Sequence, residues 1–521
     1  MASALSLSPH PLSILSLLFL INLCPQRVLS TCRTGTPREC TSAPFVPGHS
    51  LSGKGFDLVK MQRAVGLVLD SQKFLGPNHD CNVCENPLMG NKLQKLPLTM
   101  STWSAESSCD PLSSSVHTSV GSLVGGVTSP VVGSAWGKDL GLSGSTSHQL
   151  EGSKSAVASY ASAKAGSDKT LFTLHQLSCS QYSYSLYDQP LLHPDFNQQM
   201  LSLPKSLTSA TLPTYRRFIS IYGTHYISQA KLGGRLTRIT SVRQCLASLN
   251  KVSVYTVRDC VNSGLSVGLG LLRPSALSST CRTVLSNRDT VTGYSQGFLD
   301  YGVMVTGGNG WEGKISVTTN DSQGFHLWQD SLRSNPDLIS YSLLPLHSLI
   351  PDPIVSANLR TAISEYITQN GITKQPKQPY CNRPNLSSQC CPLHVRRGRL
   401  EVTLIRAWGL SGDPVGPTDA YVKIWYGSSY RRSVLIESDN PHWNRYYDFG
   451  NVDTSERLTL EVWDEDVWYD DKLLGCYTYL DNGKYDCTCR RETSGYTFSF
   501  KLTCDNHLTG SKCHQYTPSL S

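Results

Sequence analysis

The stretch YGTHYISQAKLGGRL, Tyr222 to Leu236, sets a histidine among hydroxyl-bearing side chains and then breaks on two adjacent glycines. A catalytic or metal-binding role would need company for His225, yet the sequence offers no second histidine at i+4 and no neighbouring acid. A hydrogen-bonded structural histidine is therefore expected. Gly233 and Gly234 lack the Cβ atoms that keep a strand straight. The extended run is expected to end at Leu232 to Gly234, in a sharp bend or a close backbone approach. The stretch reads as a hinge.

Around that hinge lie 521 residues, 39% hydrophobic and 16% charged, the balance of a folded protein of two to four domains. Residues 1–30 carry an apolar core from Leu12 to Leu23 followed by small residues, which predicts a cleaved signal peptide and secretion. Eighteen cysteines fit an oxidising compartment, and losing Cys24 with the signal leaves an odd number, which predicts an unpaired thiol or an intermolecular bridge. The sequons at Asn320 and Asn385 agree with export. A net charge of +7, spread along the chain, argues against nucleic acid as a partner.

Residues 31–374 mix helical and extended patterns and read as one large α+β unit. In ANLRTAISEYI, Ala357 to Ile367, apolar residues recur three and four apart. Two Ser/Gly-rich regions inside it support two conformations. GLSVGLGLL, Gly264 to Leu272, alternates apolar and small residues as a strand would, as does QYSYSL, Gln181 to Leu186, whereas ASYASAKA has the Ala content of a helix. Residues 375–397 hold Cys381, Cys390 and Cys391 among prolines, the composition of a small disulfide-bonded linker. From 398 to 515 short alternating runs (LEVTLI, AYVKIWY, LTLEVW) separated by turn signals predict an all-β sandwich, with 516–521 as a tail.

The sandwich carries the sharpest chemical signal. Asp464, Asp466, Asp470 and Asp471 crowd one loop and Asp413 and Asp419 flank another, which is how proteins supply the six to eight oxygens of Ca²⁺. The spacing excludes an EF-hand, since Tyr469 stands where its glycine belongs. Trp468 and Tyr469 sit between those charges, placed to enter a membrane interface or to pack on a neighbouring loop. Enzyme signatures fail on context. GYSQG (Gly293 to Gly297) follows a polar stretch rather than a strand, GNGWEG (Gly308 to Gly313) runs into strand-like residues, and Cys81-Asn-Val-Cys84 reads as halves of two disulfides. No catalytic residue is expected.

Tyr222, Gly223, Thr224, His225 and Tyr226, followed after six residues by Gly233 and Gly234, resemble the signature of the membrane attack complex/perforin (MACPF) family. The resemblance implies a bent four-stranded antiparallel sheet with flanking helical clusters, a short EGF-like element and a C2 domain. It further implies a secreted pore-former, held in cytolytic granules beside co-delivered granule proteases, that docks on phospholipid with Ca²⁺ and forms a homo-oligomeric ring. Two segments, about 130–187 and 260–308, would refold into membrane-spanning β-hairpins. The C2 resemblance maps calcium ligands onto Asp413, Asp419, Asp464, Asp466 and either Asp470 or Asp471, with Lys472 where an acid usually stands. Arg235 matches an oligomer-interface arginine, while its partner glutamate is replaced by Leu344. The EGF-like element keeps three of six cysteines. The implied disulfides are Cys32–Cys84, Cys40–Cys81, Cys109–Cys179, Cys245–Cys391, Cys260–Cys281, Cys381–Cys390, Cys476–Cys487 and Cys504–Cys513, with Cys489 left over. Protonation of the clustered carboxylates should hold such a protein inactive in acid.

Overall fold

The computed structural model describes residues 31–128, 137, 140–142, 150–288, 297–311, 315–371 and 379–517. The expected signal peptide (residues 1–30), the serine of GYSQG, the end of GNGWEG, the start of the expected linker and the last four residues lie outside them.

Long alternating runs with β-branched and aromatic residues build one bent antiparallel sheet. Its outer strand on one side is split into β1 (Met100–Cys109) and β2 (Ser113–His117), which pair with β3 (Thr170–Leu186). β3 pairs with β4 (His225–Arg243) along nearly its whole length. The far side is again split: β5 (Leu299–Thr306) covers Arg235 to Val242, and β6 (Asp337–Pro345) covers His225 to Gly233. Four strands deep, two of them broken at one level, the sheet has a built-in elbow.

Glycines and bulges set that elbow together. The extended run does not end at Leu232 as expected; β4 continues to Arg243, and Gly233 and Gly234 lie in mid-strand. A Cβ on Gly233 would lie 1.9 Å from the carbonyl oxygen of Cys179, and one on Gly234 2.5 Å from Trp328 and Leu332. The doublet thus provides close approach within a continuous strand. The neighbouring strands bend by bulging: the register slips between Ala105 and Ser108 in β1, between Ser180 and Tyr182 in β3, and between Leu338 and Ser340 in β6. An extra residue in each strand bends it locally and increases its twist.

Helices hang on the upper half of the sheet. Between β2 and β3 lie α1 (Val120–Thr128) and α2 (Ala156–Ser167), which pack with Phe172, Leu174, Ile239 and Met304. Between β4 and β5 lie α3 (Val254–Gly268) and α4 (Ser279–Ser286). α3 lies over the other face, because the side chain of His175, which alternates with that of Leu174, bonds the Arg258 carbonyl of α3 at 2.9 Å. The two ambiguous segments are therefore resolved in parts: 156–167 and 254–268 are helices, while 170–186 and 299–306 are already strands. Below the elbow the Leu212–Tyr222 and Pro353–Gly371 helices close the largest core, around Phe218, Tyr222, Leu359 and Ile363.

The C-terminal strands form a sandwich. β7 (Arg397–Trp408), β10 (His442–Asp453), β13 (Gly483–Arg491) and β14 (Ser494–Cys504) make one sheet in the order β10-β7-β14-β13. β8 (Asp419–Tyr426), β9 (Ser429–Arg432), β11 (Arg457–Asp464) and β12 (Asp471–Tyr479) make the other, in the order β9-β8-β11-β12. Val402, Leu404, Val422, Leu460 and Phe498 fill the space between. Tyr516, expected in a tail, is instead buried, and its hydroxyl donates to Asp168 at 2.7 Å, joining the sandwich to the large unit.

Disulfides join Cys32 to Cys84, Cys40 to Cys81, Cys109 to Cys179, Cys245 to Cys391, Cys260 to Cys281, Cys381 to Cys390 and Cys504 to Cys513. The eighth departs from expectation: Cys476 pairs with Cys489, and Cys487 is the free thiol among the described residues. Cys487 and Cys489 share one face of β13, so alternation cannot choose between them. Height along the strand does, since the Cys476 amide donates to the hydroxyl of Tyr496, the residue opposite Cys489.

Candidate metal centre and membrane-facing loops

Three loops meet at one end of the sandwich, following β7, β9 and β11. They bring Asp413, Asp464 and Asp466 together, with one carboxylate oxygen from each lying within 4.8 Å of the others. Asp464 anchors the group. It is 1% exposed, and its Oδ1 accepts from the Asp419 backbone amide at 2.8 Å. Its Oδ2 is buried with no hydrogen-bond partner among the described residues. Gly412 makes the room, since a Cβ there would lie 2.1 Å from that oxygen. Burial, and then the charges of Asp413, Asp466 and Asp419, push the Asp464 carboxyl above the usual carboxylate range. A buried charged oxygen, without a donor and facing two more carboxylates, fits a hard cation such as Ca²⁺. Asp439 braces the neighbouring loop by accepting from the Thr418 amide and hydroxyl.

The other acids differ in placement. Asp419 touches the group through its backbone. Asp470 is turned away, accepting from the Tyr421 hydroxyl and lying 3.9 Å from Lys423. Asp471 is exposed and stands opposite Asp464 in the register of β11 and β12. Lys472 does not enter the acid group; it pairs with Glu461 at 2.5 Å.

Trp468 and Tyr469 stand in water at the loop tip, 89% and 78% exposed, so they do not pack on a neighbouring loop. Two residues the sequence reading passed over join them: Val467 beside them and Val415 on the Gly412–Thr418 loop, both over 90% exposed. The available signal was an apolar residue set among acids and turn formers. Apolar tips around an acidic centre are suited to enter lipid once the charge is neutralised.

The signature residues are structural. Thr224 and His225 are fully buried. The Thr224 hydroxyl accepts from the Leu58 amide, donates to the Phe56 carbonyl and lies 2.7 Å from His225 Nδ1, and the Thr224 amide donates to the same Phe56 carbonyl. Gly223, at φ +81°, would place a Cβ 2.5 Å from the Phe56 carbonyl. Tyr222 packs edge-on against Phe196, and Tyr226 is buried at the start of β4. Arg235 is bonded within the chain, to Ser178 Oγ at 3.1 Å and to the Ile339 carbonyl at 2.5 Å. Leu344 lies opposite Tyr226, at the far end of β6. Asn320 is exposed, whereas the Asn385 amide donates to His394 and Asp505.

Comparison with known proteins gives two family matches. A model described as MAC/Perforin domain covers residues 46–375, and one described as C2 domain covers 398–485. Human Perforin-1 is 32% identical over 94% of this chain and 94% of its own length, and mouse Perforin-1 is 32% identical over 97% and 96%. The complement component C8 beta chain of Paralichthys olivaceus is 26% identical over 47% of this chain and 39% of its own.

Proposed function

We propose, since this chain belongs to the MAC/Perforin family and carries a C2 domain behind the family domain, that it is a secreted, calcium-dependent pore-forming cytolysin, stored in granules and acting on target-cell membranes. The unpartnered Asp464 oxygen inside the acid trio, ringed by exposed Val415, Val467, Trp468 and Tyr469, is the observation that carries the docking step. Ca²⁺ held by Asp413, Asp464 and Asp466, with Asp419 and Asp471 at hand, would remove the repulsion that keeps the loop tips out of an anionic phospholipid surface. Acid opposes the step, because the raised Asp464 pKa lets protons compete with the metal.

The sheet supplies the second step. Helices α1 and α2 take over from strands β2 and β3 at one end, and α3 and α4 from β4 and β5. Each insert is long enough for two membrane strands of about 9–11 tilted residues. Conversion of the inserts would prolong strands already paired, and a closed ring of copies satisfies every edge. A role for Arg235 between copies requires it to release Ser178 and Ile339, which lie at the bulged level of the sheet. Of the two sequons, exposed Asn320 is the one we assign to a glycan.

Dye-filled vesicles test the reading. Leakage at neutral pH with Ca²⁺, none in EGTA, and loss of both binding and leakage in Asp464→Ala are expected. Trp468→Ala should weaken binding without unfolding the chain. Vesicles that bind the protein yet keep their dye would replace lysis with adhesion.

A further inference from the structure

Between the bulged strands a cleft of about 350 Å³ opens at the elbow, lined by Ser108, Ser178, Ser180, Lys231, Arg235 and Ser340. It holds donors in excess. Arg235 spends Nε on Ser178 and Nη2 on the Ile339 carbonyl, leaving Nη1 without a partner among the described residues. Lys231 forms no ion pair, and the hydroxyls of Ser108, Ser180 and Ser340 make no hydrogen bond, among the same residues. Gln176 also lines the cleft, and its amide nitrogen is buried without a partner among the described residues. Asp110 is the one carboxylate among the described lining residues, set against two cations.

Cationic and hydroxyl donors converging on a cleft open to solvent match a tetrahedral oxyanion, which accepts from many directions at once. The cleft is larger than a bare phosphate, and Asp110 can accept from hydroxyls on an attached body. We propose that this cleft binds a small soluble phosphorylated polyol, its phosphoryl group between Arg235 and Lys231. The inference stands apart from pore formation, since it rests on the closed form of the sheet alone. A ligand there bridges β1, β3, β4 and β6 across the bulges and holds the elbow in its present angle.

The experiment is calorimetric titration of the full chain in EGTA, so that the acidic loops contribute nothing. Glucose 6-phosphate should bind saturably, inorganic phosphate more weakly and glucose not at all. Lys231→Ala, at an exposed position, should weaken glucose 6-phosphate roughly tenfold, the loss of one charge-assisted contact. Lys231→Arg should retain binding, and Ser340→Ala should weaken it to a smaller degree. A sugar phosphate that fails to bind, or that binds equally to Lys231→Ala, overturns the proposal. So does Lys231-dependent binding of phosphatidylinositol 4-phosphate vesicles without binding of the soluble compound, which would make the ligand a lipid headgroup.

Discussion

Replacing Asp464 by asparagine separates what its charge costs the fold from what the charge is for. In the metal-free protein the Oδ2 atom is buried without a donor and faces Asp413 and Asp466. An amide keeps the acceptor for the Asp419 backbone and presents N–H groups to those carboxylates. An unsatisfied buried polar atom costs about 1–3 kcal/mol, and loops open to solvent place this one near the lower end, at about 1 kcal/mol. The asparagine variant should therefore melt roughly 4 °C higher than the parent in EGTA. Calcium reverses the order: at a hundredfold excess over Kd it stabilises the parent by about 2.7 kcal/mol, an increment the variant forfeits. The sign with pH is consistent, because a carboxyl whose folded pKa is raised makes the metal-free domain more stable as pH falls, while calcium affinity falls with it. Calorimetry of the full chain in EGTA and in Ca²⁺ should thus give melting orders that cross. A variant that melts lower in EGTA, or one that keeps the calcium increment, would refute the reasoning.

Gly233→Ala drives a methyl into the Cys179 carbonyl at 1.9 Å, backbone that cannot step aside, and should cost about 3 kcal/mol, read as a lowered denaturation midpoint. Cys489→Ser should cost about 2–4 kcal/mol by opening its bridge to Cys476, whereas Cys487→Ser should leave the midpoint unchanged; equal effects would contradict the pairing. Burial pulls the pKa of His175 down to about 4, beside Arg238 and the Arg258 carbonyl. Its folded pKa is depressed below the free value, so the stability it contributes is present above pH 6.5 and lost as the pH falls toward 4, by at most about 3 kcal/mol. His175→Gln keeps a donor for the Arg258 carbonyl and should flatten that part of the pH–stability curve measured by urea unfolding.

Much of this architecture can be read from local pattern. Alternation over Leu400 to Ile405 and Leu458 to Trp463 places strands because one face of each is buried, and clustered aspartates mark the acidic loops because carboxylates do not gather there without cause. The doublet at Gly233 and Gly234 marks a close approach. What it cannot reveal is that bulges in its partners β3 and β6, and in β1 beyond β3, accompany the bend, since Ile339 and Gln181 look like any other strand residue. GLSVGLGLL was ambiguous for a physical reason: glycines at 264 and 268 fit a small-residue face with period two or four. The helix prevails because the 316–317 backbone lies against both, with a Cβ position on Gly268 only 2.1 Å from the Ser316 carbonyl. Asp470 and Asp471 differ in role through the direction of one loop, which composition does not encode.

The slipped register at Gln181 means that β3 is read in two frames. Above it odd-numbered residues such as His175 and Leu177 share a side with Leu236 and Arg238; below it the even-numbered Tyr182 and Tyr184 occupy that side, against Leu232 and Ala230. A deletion of one residue here would exchange inside for outside along every position up to Thr170, turning Phe172 and Leu174 toward the wrong helices. Length in this strand is therefore under tighter constraint than identity, and among variants of this chain a lost codon at position 181 should be far rarer than a changed one.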